Sequence, residues 1–333
     1  MEGFITMDHG SGGKKTAALI DELIVPLFRN EALAALGDGA VLPGGGTLVF
    51  STDSFVVTPL FFPGGDIGKL SVCGTVNDLA MAGGIPRYLS LSIIIEDGFP
   101  LGDLERVLSS AARAAAECGV SVVTGDTKVV ERGHCDGLFI NTAGIGTLAC
   151  PGLSSSSIRP GDRVILSGTA GDHGTAILLS RSPELLEGTL SSDCAPLHRA
   201  AADLYSLGPA LRVLRDPTRG GVATALNEFT EEKPFSLVLE EASIPVDPGV
   251  RTACDLLGLD PLYAANEGKL LAVVAPEAAE SALQILRSHP ACCRAAVIGT
   301  AESDHAGRVI LRTRTGGSRI LQRLSGAQYP RIC

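Results

Sequence analysis

The chain has 333 residues, 45% of them hydrophobic and 19% charged, with a formal net charge of −10. That length and apolar share favour two domains with buried cores over a disordered segment. The acidic balance, the lack of Trp and an aromatic content of 4% argue against a phosphate polymer or a base-stacking surface, so nucleic acid is not an expected partner.

Nine cysteines, at 73, 118, 135, 150, 194, 254, 292, 293 and 333, form no C-x-x-C pair. This points to reduced thiols in the cytoplasm and away from a zinc site or a disulfide framework. Residues 1–20 lack an apolar leader, and no stretch approaches about 18 uninterrupted apolar residues, so neither export nor a membrane span is expected. Cys333 is the last residue and therefore cannot be a CaaX lipidation site.

In chain order, residues 7–28 (MDHGSGGKKTAALIDELIVPLF) set a glycine cluster and two lysines before an amphipathic helix with apolar positions 19, 20, 23, 24, 27 and 28. This is not a Walker A loop, because Gly13 is followed by Lys14, Lys15 and Thr16. A lid over phosphates and a plain helix entry are both open readings, and His9 reads as structural or substrate-adjacent. Residues 47–52 (TLVFST) read as a strand, 66–84 as a helix closed by paired glycines, and 87–97 as a strand with a buried centre. Residues 101–119 read as a helix ending on Gly119, and 120–125 and 137–149 as strands.

Pro, Gly and four serines in 150–162 (CPGLSSSSIRPGD) interrupt the periodicity, and the domain boundary is placed there, at 155/156. Beyond it the alternation repeats. A strand at 163–168 is followed by helices near 172–181, 196–207 and 219–231, strands at 235–240 and 270–275, a helix near 276–288, and strands at 295–301 and 308–313. The reading is two α/β halves, 1–155 and 156–312. Residues 313–333 read as a flexible tail with a reach of at most about 70 Å, carrying the thiol of Cys333 at its end. The neighbouring pair Cys292 and Cys293 reads as buried or incidental.

Acidic residues beside glycine or at strand ends recur at Asp38 (LGDGAV), Asp53 (FSTDSFV), Asp78 (TVNDLAMAG) and Asp126 (VTGDTKVV). One such Asp is ordinarily a turn residue. Four together suit a hard cation such as magnesium, held between carboxylates and nucleotide phosphates. Lys128 is either a phosphate ligand or a solvated strand lysine. The stretch 215–228 (RDPTRGGVATALNE) places two glycines at a helix start, which suits an anion or serves as a simple cap. Glu267 and Lys269 stand just before a buried strand, where a desolvated carboxylate has the raised pKa a general base needs.

The ordered set HGSGGK (9–14), DGA (38–40), STDSFVVTP (51–59), GTVNDLAMAGGIP (74–86), TGDTKVV (124–130), DPTRGGV (216–222) and NEGK (266–269) resembles the PurM/AIR synthetase-like ATP-binding superfamily. That superfamily includes aminoimidazole ribonucleotide synthetase, selenophosphate synthetase and thiamine-phosphate kinase. With the terminal PRIC, the resemblance narrows to the HypE family of carbamoyl dehydratases in NiFe-hydrogenase maturation, and it covers essentially the whole chain.

The resemblance implies a two-domain α/β (α+β) fold whose N-terminal sheets pair in a homodimer barrel, with ATP and Mg2+ near the cleft. It implies a HypF carbamoyltransferase that loads Cys333, ATP-driven dehydration of that thiocarboxamide to a thiocyanate, and delivery of cyanide to iron on a HypC–HypD complex. Asp38, Asp53, Asp78 and Asp126 are then the metal ligands, and the same four with Lys69, Asn77, Gly12 and Gly13 contact the nucleotide. Cys333 carries the substrate, Lys128 polarises the phosphorylated oxygen, Glu267 is the base, and His9 with the Gly10 to Gly13 loop covers the phosphates. Two alternatives stand beside this reading. One is another ATP-dependent enzyme of the superfamily, of selenophosphate synthetase or small-molecule kinase type; the other is a non-catalytic cysteine carrier.

Overall fold

The computed structural model describes residues 3–10, 14–31, 42, 44–182, 184 and 190–324. It begins with a helical run made of α1 (Lys14–Leu19), a π-helical turn (Ile20–Ile24) and α2 (Val25–Phe28). Leu19, Leu23 and Phe28 on this run are buried, as their spacing requires. Next come β1 (Leu48–Phe55), β2 (Phe61–Phe62), β3 (Gly65–Asp66), α3 (Ile67–Met81), β4 (Gly84–Glu96), α4 (Leu101–Cys118), β5 (Ser121–Val130) and β6 (Leu138–Leu148).

Four of these strands form one sheet in the order β1-β6-β4-β5. β4 and β5 run parallel across α4, whereas β6 is antiparallel to both β1 and β4. Residues alternate between buried and accessible along β4 and β6, the signature of a sheet covered on one face. That covered face carries Phe55, Leu91, Ile93 and Ile140 and packs on α3 and α4.

Helix α3 starts where the Asp66 carboxylate accepts the N–H groups of Gly68 and Lys69 at 2.8 and 3.1 Å, a side-chain cap. It is buried nearly all round, as expected of a helix apolar on every side. One side packs on β1, β4 and β6 and another on the second half of the chain, where Ala80 and Met81 join a different core.

The second half contains β7 (Arg163–Leu166), α5 (Asp172–Arg181), α6 (His198–Leu204), β8 (Leu211–Arg215), α7 (Gly221–Thr230), β9 (Ser236–Glu240) and α8 (Pro248–Leu257). It continues with β10 (Leu271–Val274), α9 (Ala279–Arg287), β11 (Ala296–Glu302), β12 (Val309–Arg312) and β13 (Ser318–Leu321). These strands form a seven-stranded sheet in the order β13-β12-β9-β11-β7-β10-β8. Val164, Leu166, Leu271 and Val273 face one core, and Ile165, Leu214, Ala272 and Val274 face another, so this sheet is covered on both sides.

The expected elements reappear in their expected order, with four additions, the short β2 and β3 together with β8 and α8, that the sequence pattern does not mark. One expectation needs correction. Residues 313–324 are not a loose tail: a turn tied by the Thr313 N–H to the Gly317 carbonyl at 2.8 Å leads into β13, which pairs with β12. Cys333 lies outside the described residues. Among the described residues no helix is long and apolar enough to cross a membrane, and Cys292 is buried while Cys293 is exposed.

Candidate active site

The carboxylates that matter are delivered by the ends of elements from both halves. Asp53 projects from β1 on the helix-covered face, and Asp78 stands on the buried α3, where the Ser51 hydroxyl donates to its Oδ2 at 2.8 Å. Asp216 follows β8 and Glu267 precedes β10, two strands paired antiparallel with Leu271 opposite Arg215. Asn266 locks these ends together: its backbone N–H and Nδ2 donate to the Pro217 carbonyl at 3.1 and 3.2 Å, and its Oδ1 accepts the Gly171 N–H at 2.7 Å. The following turn into α7 runs through Gly220 and Gly221 at φ 73° and 61°, a left-handed conformation that glycine adopts without penalty.

Burial and mutual repulsion dominate the electrostatics. Glu267 is 5% exposed, and its carboxyl is held well above the usual range by burial first and then by Cys194, Asp216, Asp193 and Asp53. Asp216, 8% exposed, is pushed up to about 7 by burial and by Asp78, with Arg215 opposing and Asp53 adding to the rise. Asp78 is raised by burial, against the Ser51 hydrogen bond and the charges of Arg215 and Arg219. Asp53 is raised by burial against the Ser54 N–H, with Asp78 adding to it. The Arg219 guanidinium comes within 3.9 Å of Asp53, bridging the two halves. A hard divalent cation bound near these carboxylates would relieve the repulsion.

A second set of groups supports Glu267. Its backbone N–H donates to Asp193 Oδ1 at 3.0 Å, and the buried Lys269 ammonium reaches Asp193 at 3.1 Å and Asp172 at 3.5 Å. Burial works against the Lys269 charge, yet the two aspartates outweigh it and raise its pKa. Gly268 lies so near the Asp193 carbonyl that any side chain there would collide with it. Asp172 also accepts the Thr169 hydroxyl. His173 is buried, with Nδ1 2.7 Å from the Ser192 hydroxyl and its ring edge-on to Phe62 at 5.5 Å; burial pushes it down to about 4. Asp172 Oδ1 and His173 Nε2 are buried without a hydrogen-bond partner among the described residues.

The structure brings Asp53, Asp78 and Glu267 together but separates Asp126 and Lys128 from them. Asp53 is in register with Thr142, Leu91 and Gly125 on the helix-covered face, whereas Asp126 is in register with Ser92, Asn141 and Ser54 on the opposite face. There Asp126 and Lys128 pair with each other at 3.2 Å in the open. Within one chain, therefore, the four expected metal ligands do not form one cluster. Among the described residues no group of three or more His, Cys, Asp or Glu is arranged to hold a metal ion. Asp38, Gly12 and Gly13 lie outside the described residues.

Asn77 does not present its amide to a ligand: Nδ2 donates to the Ala195 carbonyl at 3.1 Å and Oδ1 accepts the Leu197 N–H at 2.7 Å, so it fixes the segment that carries Asp193. Lys69 donates to the Gly64 carbonyl at 3.1 Å. His9 Nδ1 accepts the Thr6 N–H at 3.0 Å and is tied locally. Asp216, Asp193 and Asp172 were not singled out from the sequence. Asp216 opens the DPTRGGV stretch and was findable there, but nothing around Asp193 marks it.

Comparison with known proteins supplies the remaining context. Residues 36–148 match the model of the AIR synthase related protein N-terminal domain, and residues 159–312 that of the C-terminal domain. A carbamoyl dehydratase HypE of Cupriavidus necator is 52% identical over 334 residues, covering 99% of this chain and 95% of its own length. A crystal structure of the hydrogenase maturation protein HypE in complex with ATP superposes with a TM-score of 0.94 at 47% identity, covering 98% of this chain and 99% of the other. A crystal structure of a HypE-HypF complex matches with a TM-score of 0.80 at 46% identity, covering 92% of this chain and all of the other (100%).

Proposed function

Because the chain belongs to the HypE family of carbamoyl dehydratases, within the AIR synthase related proteins, we propose that it uses ATP to dehydrate an S-carbamoyl group on Cys333 to a thiocyanate, supplying cyanide for hydrogenase iron. One observation carries the mechanism. Glu267 is buried where carboxylates from both halves converge, and its raised proton affinity makes it an effective proton acceptor.

An amide oxygen is a poor leaving group. Transfer of the γ-phosphoryl of ATP to the carbamoyl oxygen turns it into a good one. The nitrogen gives up both of its protons, one as the oxygen is phosphorylated and the second to Glu267 as the C–O bond breaks, phosphate leaves, and C≡N remains on the Cys333 sulfur. Asp193 holds the Glu267 backbone and the Lys269 ammonium, keeping the base aimed. A closed cleft would exclude the water that hydrolyses the activated intermediate, and the tethered thiol makes the encounter with ATP intramolecular.

Asp53 and Asp78 would hold Mg2+ on the nucleotide, with Asp38 as a further ligand. The metal would neutralise phosphate charge and orient the γ-phosphoryl group. Lys69 and the Gly12 and Gly13 loop complete the nucleotide contacts in this reading. Asp126 and Lys128 would act from a second copy: in a homodimer joined through the open face of the four-stranded sheet, they are the charged groups that can approach a neighbouring site. Residues 1–155 thus bind nucleotide and dimerise, 156–312 supply the base, and the segment ending in Cys333 shuttles between the cleft, a HypF-type carbamoyltransferase and a HypC–HypD acceptor in the cytoplasm.

The test is mass spectrometry of the C-terminal peptide after incubation with HypF, carbamoyl phosphate and ATP. A dehydratase yields first the carbamoylated and then the lighter cyanated peptide, whereas a carrier stops at the first. Glu267→Gln should bind ATP and accumulate the carbamoylated form, with product formation reduced by roughly 10²-fold or more. Near-normal cyanation by that variant removes Glu267 as the base.

A further inference from the structure

Between Ser192 and Leu197 the chain is neither helix nor strand, yet Ser192, Cys194 and Leu197 along this strap are buried. With no helix or sheet ladder to place it, its course is set by individual hydrogen bonds. From the first half, the Pro63 carbonyl accepts the Ser192 N–H at 2.8 Å, and the Asn77 amide holds Ala195 and Leu197. Gly64 lies so near the Ser192 carbonyl that a side chain there would collide with it.

From the second half the strap meets Glu267 twice. Asp193 Oδ1 accepts the Glu267 N–H at 3.0 Å, and the Ala195 N–H donates to the Glu267 carbonyl at 3.4 Å, so the main chain of the base is gripped on both sides. The remaining anchor is at Ser192, whose Oγ accepts the Cys194 N–H at 3.0 Å and lies 2.7 Å from His173 Nδ1. Among the described residues that hydroxyl proton has no other acceptor, so Ser192 donates to Nδ1. His173 is itself 0% exposed and stands edge-on to Phe62 of the first half. Its helix, α5, starts beside the base, where Asn266 accepts the Gly171 N–H and Asp172 comes within 3.5 Å of Lys269.

We propose that His173 is a positioning residue for Glu267: by holding Ser192 it fixes the strap that grips the base, and so it sets turnover and not nucleotide binding. The effect on turnover rests on the role proposed for Glu267; the ordering of the strap does not. His173 acts through Ser192 and Asp193. The Glu267 carboxylate must lie within hydrogen-bond reach of the nitrogen it deprotonates, and a displacement of about 1 Å costs on the order of 10²-fold in rate. A neutral ring suits the task. Burial pushes the His173 pKa down to about 4, so Nδ1 remains an acceptor throughout the neutral range.

The packing of the ring and the acceptor on it can be separated. His173→Phe keeps an edge-on ring beside Phe62 and removes the acceptor, whereas His173→Asn loses ring packing and returns a polar atom near the place of Nδ1. Ser192→Ala removes the donor from the other side. For a residue that only fills the core, the Phe variant is the milder change and the Asn variant the worse. For a residue that positions the base, turnover follows the reverse order.

The experiment follows cyanation of the C-terminal peptide of the full chain with HypF, carbamoyl phosphate and ATP, alongside ATP affinity and amide hydrogen exchange in peptides covering 191–197 and 264–270. His173→Phe and Ser192→Ala should each slow cyanation roughly 10²-fold while ATP affinity stays within about twofold. The double variant should be no slower than either single one, and His173→Asn should recover roughly tenfold of the loss. Exchange in both peptides should quicken roughly tenfold in the two slow variants. Undiminished cyanation in His173→Phe and Ser192→Ala overturns the proposal, as does an Asn variant slower than the Phe variant, or unaltered exchange around Glu267. If His173→Phe does not fold, Ser192→Ala decides by the same readouts. An unaltered chain that forms no thiocyanate counts against the proposed function, and the exchange result then decides whether His173 orders the strap.

Discussion

The two sheets of this molecule are finished to different degrees. In the seven-stranded sheet, β10 is buried along its whole length and β9 along all but its last residue, with a core on each face. The four-stranded sheet has a core on one face only. Its other face leaves Leu48 at 55% and Phe50 at 66% exposure, with Ile94 also open. An apolar sheet face of that kind suits association, whereas both faces of the larger sheet are already covered within the chain.

That contrast can be broken by placing the same charge on each sheet. Val273→Asp in β10 buries an unpaired carboxylate at a site with 0% exposure and should cost about 4 kcal/mol or more; expression in the insoluble fraction is the expected readout. Phe50→Asp on the open face should leave the circular dichroism spectrum and melting temperature nearly unchanged, while the proposed homodimer loses about 2 kcal/mol or more of association, read by sedimentation against the unaltered chain. Equal damage from both changes would mean that the two faces are not different in kind.

The junction between the sheets gives a smaller effect with a definite sign. The Asp216 carboxyl titrates at about 7 in the fold against 3.8 ordinarily. The folded chain therefore keeps a proton that the unfolded chain releases across that interval, and stability falls as pH rises through it. Asp216→Asn should flatten this dependence and be the more stable form at pH 8, by roughly 1–3 kcal/mol, in urea titrations from pH 4 to 8. The smallest effect belongs to the rim: Arg319→Ala removes a half-exposed ion pair with Asp260 and should change stability by less than about 1 kcal/mol.

The elements that were legible in the sequence carry strong local chemistry. α4 is bounded by Gly119 at φ 68°, and β10 is an unbroken apolar run. β8 and α8 carry no clear local signal because Arg212 and Arg215 interrupt LRVLR and PGVRTACDLL mixes helix formers with weak ones; pairing to β10 and a cap in which Asp247 accepts the Gly249 N–H decide them. The Ser, Arg and Gly residues in and just before β13 carry no strand signal of their own, and β12 supplies its register. At the site, the motif glycines and acids pointed to Asp53, Asp78 and Glu267. The face of β5 on which Asp126 lies is a matter of register across four strands, and the clamp by Asp193 is a contact distant in sequence; neither leaves a local trace. Asn77 shows the reverse error, since a residue inside a recognisable motif spends its amide on its own chain.

Helix α3 sits against both sheets and shows almost no surface of its own. Severing the chain between the halves would strip one flank of this rod, leaving Ala80 and Met81 bare on the first fragment and Leu197 and Leu204 without their cover on the second. The two pieces should therefore be insoluble when produced singly and recoverable when produced together, which makes this molecule a natural candidate for a split reporter whose reassembly restores the cleft.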